Sequence, residues 1–312
     1  MFFVSKSPLY FFGTSMKDVP SPHRFFWPWL LRVLLLWPLL VSCSALQITY
    51  STLDWILLWK LDSYFDLSAS QEKYLDREIK NLHVWHRHHK LPEYQQFLSQ
   101  LDQFWENGLS QAEMKIIFAS VDNFRIHLAK HASSPGAIFL STVTPIQIRH
   151  LQEVLGQEHR RLVSDIGTES GERLTRRITS TLETLTSWVG ELSEDQQTYI
   201  RQWIAEVPDT AVEWLAHRKR RQGRLLELLR ASHDPFTLEQ GLYYWLADLK
   251  IGATPEYLVA FREWREGIKK VVLEIDQILT RDQRVHFSRK LQLLIRDIRG
   301  LVGSDNKKPL GV

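Results

Sequence analysis

Leu174, Ile178, Leu182, Leu185 and Val189 recur at steps of four, four, three and four, which lays one apolar stripe along a helix. Val271, Ile275 and Ile278, then Phe287, Leu291, Leu294 and Ile298, keep the same period nearer the C-terminus. Alternating β-branched runs bounded by hairpin turns are absent, so no strand is predicted. Between the stripes lie Gly108, Ser133-Ser134-Pro135-Gly136, Gly190, Pro208 and Ser232-His233-Asp234-Pro235, which read as breaks.

A local signal recurs at the starts of these stretches. It stands at Leu67-Ser68-Ala69-Ser70-Gln71, Val143-Thr144-Pro145-Ile146-Gln147, Leu192-Ser193-Glu194-Asp195-Gln196 and Leu279-Thr280-Arg281-Asp282-Gln283. A Ser or Thr hydroxyl accepts from the N3 amide, Gln at N3 reaches back to the N-cap amide, and the apolar residue before the cap acts as a staple. Variants occur at Leu109-Ser110 with Glu113 and at Phe236-Thr237 with Gln240, and Thr144-Pro145 and Thr254-Pro255 add proline at N1. The reading is an all-α, multi-helix bundle of about eight to ten helices, with room for two packed helical layers. Residues 43–134 and 143–302 are expected as N-terminal and C-terminal helical regions, with the boundary at Ser133 to Val143. Residues 303–312 are expected as a disordered tail.

The N-terminus carries a different pattern. Lys6, Lys17 and Arg24 precede the apolar run FFWPWLLRVLLLWPLLV, which gives way to Ser42, Cys43, Ser44 and Ala45. That is the order of a signal peptide over 1–42. Interrupted by Arg32, the run is short for a spanning helix, which needs roughly twenty apolar residues. Cys43 is the chain's single cysteine, which argues against a disulfide framework. Leu40-Val41-Ser42-Cys43 resembles the lipobox of bacterial lipoproteins, which implies acylation of Cys43 and anchoring to a lipid bilayer. Serine at 44, in place of the aspartate that marks inner-membrane retention in that class, implies the outer membrane, facing the periplasm.

Cleavage would change the charge balance. Four of 39 basic residues and one of 36 acidic residues lie in 1–42, which leaves 35 of each. The mature chain is then formally neutral, so the pI near 8.9 does not argue for a nucleic-acid partner. At 44% apolar and 24% charged residues, the composition is that of a folded chain.

Trp55-Ile56-Leu57-Leu58-Trp59-Lys60-Leu61-Asp62-Ser63-Tyr64-Phe65-Asp66-Leu67, Gln71, and Trp85-His86-Arg87 with Leu91-Pro92 and Tyr94 together resemble an uncharacterised family of Gram-negative envelope lipoproteins, a domain of unknown function. The resemblance implies an envelope lipoprotein and supplies no activity. The Leu-Ser/Thr-x-x-Gln caps are also similar to the repeated motif of Spy/CpxP-type periplasmic proteins.

Candidate chemistry is sparse. His83, His86, His88 and His89 are close enough in sequence to share an ion, but Leu75, Ile79, Leu82, His86 and His89 continue one apolar face, so His86 and His89 are expected to hydrogen-bond to a facing helix. No metal site and no cofactor is expected. Asp54, Asp62 and Asp66 sit among aromatics, where structural bonds to loop amides or to Arg87 compete with acid-base roles. His217-Arg218-Lys219-Arg220-Arg221 with Arg224 is the one basic run of the mature chain, able to contact anionic lipid or an acidic partner, or to form a solvated face. Glu213 and Glu227 flank it and can pair locally.

Two functional readings follow. The first is a non-enzymatic binding, scaffold or chaperone-like lipoprotein with an unidentified envelope protein as partner. It uses Asp62, Asp66, His86, Arg87, Arg218, Arg220 and Arg221 as candidate binding residues. The alternative is a hydrolase or metal-dependent enzyme built on the Asp62, Asp66, His86 and Arg87 neighbourhood, whose side chains would have to converge in a pocket.

Overall fold

The computed structural model describes residues 45–167 and 169–303. The signal segment, Cys43 and the tail from 304 onward lie outside the described residues. In chain order the helices are α1 (Ala45–Ser51), α2 (Leu53–Phe65), α3 (Ala69–Trp85), a π-helical turn (His86–Lys90), α4 (Leu91–Asn107), α5 (Gln111–Leu140) and α6 (Pro145–Ile166). They continue with α7 (Ser170–Val189), α8 (Glu194–Glu206), α9 (Ala211–Ala231), α10 (Pro235–Ala247), α11 (Pro255–Ile278) and α12 (Arg281–Gly303). The fold is all-α, with no strand among the described residues. None of the described helices is long and apolar enough to cross a membrane.

The capping boxes form where expected. Ser68, Ser110, Thr144 and Ser193 each accept from their N3 amide while the N3 side chain accepts from the cap. Thr280 and Gln283 make the same pair of bonds at 3.3 and 2.9 Å. One start is shifted: α10 is capped by Asp234, which accepts from the Thr237 amide at 2.9 Å, with Pro235 at N1, so Thr237 is not the cap. A carboxylate preceding proline offers the stronger acceptor and a preset φ.

Four helices of the first half pack as two crossed hairpins. Hairpin α2–α3 meets hairpin α5–α6 so that α2 contacts α6 and α3 contacts α5. The second half repeats the arrangement: α7–α8 meets α11–α12, with α7 on α12 and α8 on α11. Each set encloses a core, one including Phe65, Leu75, Phe139, Val143 and Leu151, the other Leu182, Ile200, Ile204, Val271 and Ile275.

Each half also carries helices inserted between its two hairpins, and these inserts are exchanged. α4, inserted in the first half, lies along α12 of the second, and α10, inserted in the second, lies along α5 of the first. The expected boundary at Ser133 to Val143 is therefore corrected. α5 runs unbroken through Ser133, Pro135 and Gly136 to Leu140. Gly136 is there for close approach, because a Cβ on it would stand 2.6 Å from Leu242 Cδ2 of α10. Buried Ser133 donates its hydroxyl to the Lys130 carbonyl. Ser133 to Leu140 is thus helix and not linker, and Gly303 belongs to α12.

Candidate functional site

The four Gln residues of the Leu-Ser/Thr-x-x-Gln caps do more than cap. Gln71 donates to the Gln147 side-chain oxygen at 3.2 Å and Gln147 donates to that of Gln71 at 2.7 Å. Each also donates to the carbonyl two residues before the other's cap, Gln71 to Thr142 and Gln147 to Asp66, both at 3.1 Å. In the second half Gln196 and Gln283 donate to each other at 2.8 and 2.9 Å, and to the carbonyls of Ile278 and Glu191. These carbonyls again lie two residues before the caps. All four glutamines are 7% exposed, so this bonding satisfies amides that burial would otherwise leave costly. Each half of the chain is thus clasped at the crossing of its hairpins.

Beside the second clasp lies an open cleft of about 710 Å³, walled by Val189, Ile278 and Tyr199 and rimmed by Glu191, Asp195 and Asp282. Its two cap hydroxyls, on Ser193 and Thr280, accept from the Gln196 and Gln283 amides. The cleft offers acceptors and apolar surface to a ligand.

Asp62, in the last turn of α2, and Asp66, its C-cap, lie just before the start of α3. The Asp62 carboxylate accepts from the Leu67 amide at 3.0 Å, and Asp66 closes α2 in the left-handed region at φ 50°. His86 and Arg87 lie past the other end. Seventeen residues of helix separate the two pairs, about 26 Å at 1.5 Å per residue. The structure does not bring the four together.

His86 bonds to the Tyr50 hydroxyl at 3.0 Å and meets Tyr94 edge-on, so its facing helix is α1, close behind Cys43. His83 also packs edge-on against Tyr50, and the Arg87 guanidinium lies 5.6 Å from that ring. Burial, then the charges of His83 and Lys90, depress the His86 pKa, and burial pushes the Tyr50 hydroxyl up to about 12. His89 departs from its expected place: it is exposed, and Lys90 is buried instead. The π-turn is the cause. The Leu91 amide donates to the His86 carbonyl, which inserts one residue into the turn and moves the inward position along by one. Pro92 follows directly and has no amide to give the His88 carbonyl. Lys90 donates to Glu93 at 2.7 Å and lies 3.1 Å from His127 Nδ1, while Trp85 stacks on His131 at 3.8 Å. Among the described residues no group of three or more His, Cys, Asp or Glu is placed to hold a metal ion.

The basic run is largely spent within the fold. Arg220 donates to the Gly252 carbonyl at 3.1 Å and Arg221 to that of Trp245, whose indole N–H returns to the Arg221 carbonyl at 2.9 Å. His217, buried, bonds the Leu249 carbonyl at 2.8 Å and stacks on Tyr257. Arg224 pairs with Glu227. Lys219 and Arg224 are exposed, while Arg218, Arg220 and Arg221 are partly buried.

Two polar nodes carry no sequence signature. Glu158 accepts from Lys60 at 2.9 Å, Tyr64 at 2.8 Å and Arg218 at 3.1 Å, and so ties α2, α6 and α9. Burial works against its charge, yet the Lys60 and Tyr64 bonds and the nearby cations hold its carboxyl below the usual range. Buried Asp276 accepts from Arg284 at 2.6 Å and from the Leu109 amide at 2.8 Å, and Arg284 also donates to the Trp105 carbonyl. That node fastens the end of α4 to the second half.

Comparison with known proteins adds a family and no activity. Searches of curated proteins and of solved structures return no match. A family model described as a family of unknown function (DUF6279) matches residues 63–257, which includes the first clasp and Gln196 but ends before Gln283. The chain belongs to that family.

Proposed function

We propose that this protein is a lipoprotein, held to the outer membrane by acyl chains on Cys43, whose helical body faces the periplasm. There it binds or scaffolds another envelope protein and does not catalyse a reaction. One observation carries the reading: the acids stand at the turn before α3 and the His-Arg pair past its far end, and the Asp62, His86 and Arg87 side chains are engaged in structural contacts. Polar side chains committed to the fold are the mark of a scaffold, whose binding surface is elsewhere. The short distance in sequence from Cys43 to α1 agrees with a body kept close to one membrane face.

The test is Cys43→Ala in the full chain. Palmitate labelling should vanish and the protein should leave the outer-membrane fraction; labelling that persists refutes the anchor. Crosslinking in intact cells should then capture a defined envelope protein with the wild type and much less of it with Cys43→Ala. Hydrolytic turnover by the purified chain, lost on replacing His86 or Asp62, would overturn the scaffold reading.

A further inference from the structure

The first two helices behind Cys43 carry an outward apolar face. Ile48 is 57% exposed and Trp55 66%, and Ile56 and Trp59 are also exposed. Trp55 and Trp59, four residues apart, share one side of α2 with Ile56 beside them, and Ile48 is exposed on α1 just before the Thr52 turn. The opposite side of α2 is committed to the fold, since Phe65 is buried in the first core and Leu58, Leu61 and Tyr64 pack against it. The outward face ends one turn past Trp59 at Asp62, whose carboxylate turns back onto the Leu67 amide.

Two large indoles on a solvent face are costly in water and well suited to a bilayer interface, where the ring body enters the acyl boundary and the N–H stays among headgroups. The position of the patch selects the occupant. Trp55 lies twelve residues after Cys43, at most about 40 Å away even for fully extended chain. α1 is fastened to the body by Tyr50, buried against Leu91, Ile298 and Leu301, and by its bond to His86. An anchor at Cys43 therefore leaves this face within reach of lipid.

We propose that the Ile48, Trp55, Ile56 and Trp59 face lies in the headgroup layer of the membrane to which the chain is anchored, as a second contact that sets the orientation of the body. The inference rests on reading Cys43 as acylated. α1 and α2 would then run along the bilayer surface, with α6 and the first core on the side of α2 away from it.

The test uses the full chain in vesicles of phosphatidylethanolamine and phosphatidylglycerol, with and without bromine on the acyl chains. Bromine quenches a nearby indole by contact. The wild type should show bromine-dependent quenching, and Trp55→Phe with Trp59→Phe should lose most of it with unchanged thermal unfolding. Equal quenching in wild type and variant overturns the proposal. So does a photocrosslinker at position 55 that captures a protein and no lipid in cells. Palmitate labelling of the same preparations separates the two readings. An unlabelled chain whose quenching still depends on Trp55 and Trp59 keeps the surface contact and removes the lipid anchor, whereas a labelled chain without that quenching does the reverse.

Discussion

Gln71 and Gln147 lie on helices α3 and α6, 76 residues apart in sequence, and each places its side-chain amide on the other's oxygen. Both oxygens also accept from their own N-cap amides at 3.0 Å. A two-residue unit thus closes two helix starts and joins two hairpins.

Gln71→Ala should cost about 1–3 kcal/mol, because Gln147 keeps a buried amide short of its partner and the Ser68 amide loses its acceptor. Gln196→Ala should cost a similar amount in the second half. Urea unfolding checks both, and the Gln71→Ala, Gln147→Ala double variant should lose less than the sum of the singles.

Asp276→Ala should be among the more damaging changes, at roughly 3–5 kcal/mol, since it leaves Arg284 without its counter-charge and the Leu109 amide without an acceptor. Asp276→Asn keeps the shape and should recover part of the loss. Guanidinium unfolding of the three proteins decides it.

Gly136→Val should destabilise by about 1–3 kcal/mol through overpacking between α5 and α10. Leu242→Ala in the same chain should lessen the penalty, because Leu242 is the atom group that the new side chain meets. A penalty unaffected by Leu242→Ala would show that the close approach is not its origin.

Burial depresses the pKa of His86, and also those of His131 and His217. The unfolded chain then binds more protons than the folded one between those lowered values and about 6.5, so stability falls as pH drops through that window. Their contribution is complete above it. Denaturant midpoints measured from neutral to acid pH should decline, and His86→Ala should lower the neutral value by about 1 kcal/mol through loss of the Tyr50 bond while shallowing the decline.

The helix starts were readable because a capping box is local: Ser68 and Gln71 need nothing beyond the four residues from cap to N3. The pairing of Gln71 with Gln147 was not, since an amide satisfied within its own box gives no sign of a second bond to a distant helix. Ser133 to Gly136 misled for a related reason. Proline and glycine mark breaks in isolation, yet in α5 the missing Cβ serves contact with Leu242, which belongs to tertiary packing. His89 was misplaced because a constant helical period cannot register the extra residue of a π-turn. Glu158 and Asp276 each draw partners from two other parts of the chain, and nothing near either in sequence announces it.

The exchange of α4 and α10 between the halves bears on the order in which the chain can fold. Synthesis proceeds from the N-terminus, so the first clasp can close once α6 has emerged, yet the face of α5 that α10 covers stays exposed until α10 arrives, roughly a hundred residues after α5 ends. Neither half can finish alone, and the contacts that complete each are distant in sequence, which slows folding and keeps apolar surface exposed during it. Truncation before α12 would strip α4 as well as the second core, so shortened chains should be targets for proteolysis, and the native protein should unfold in one step.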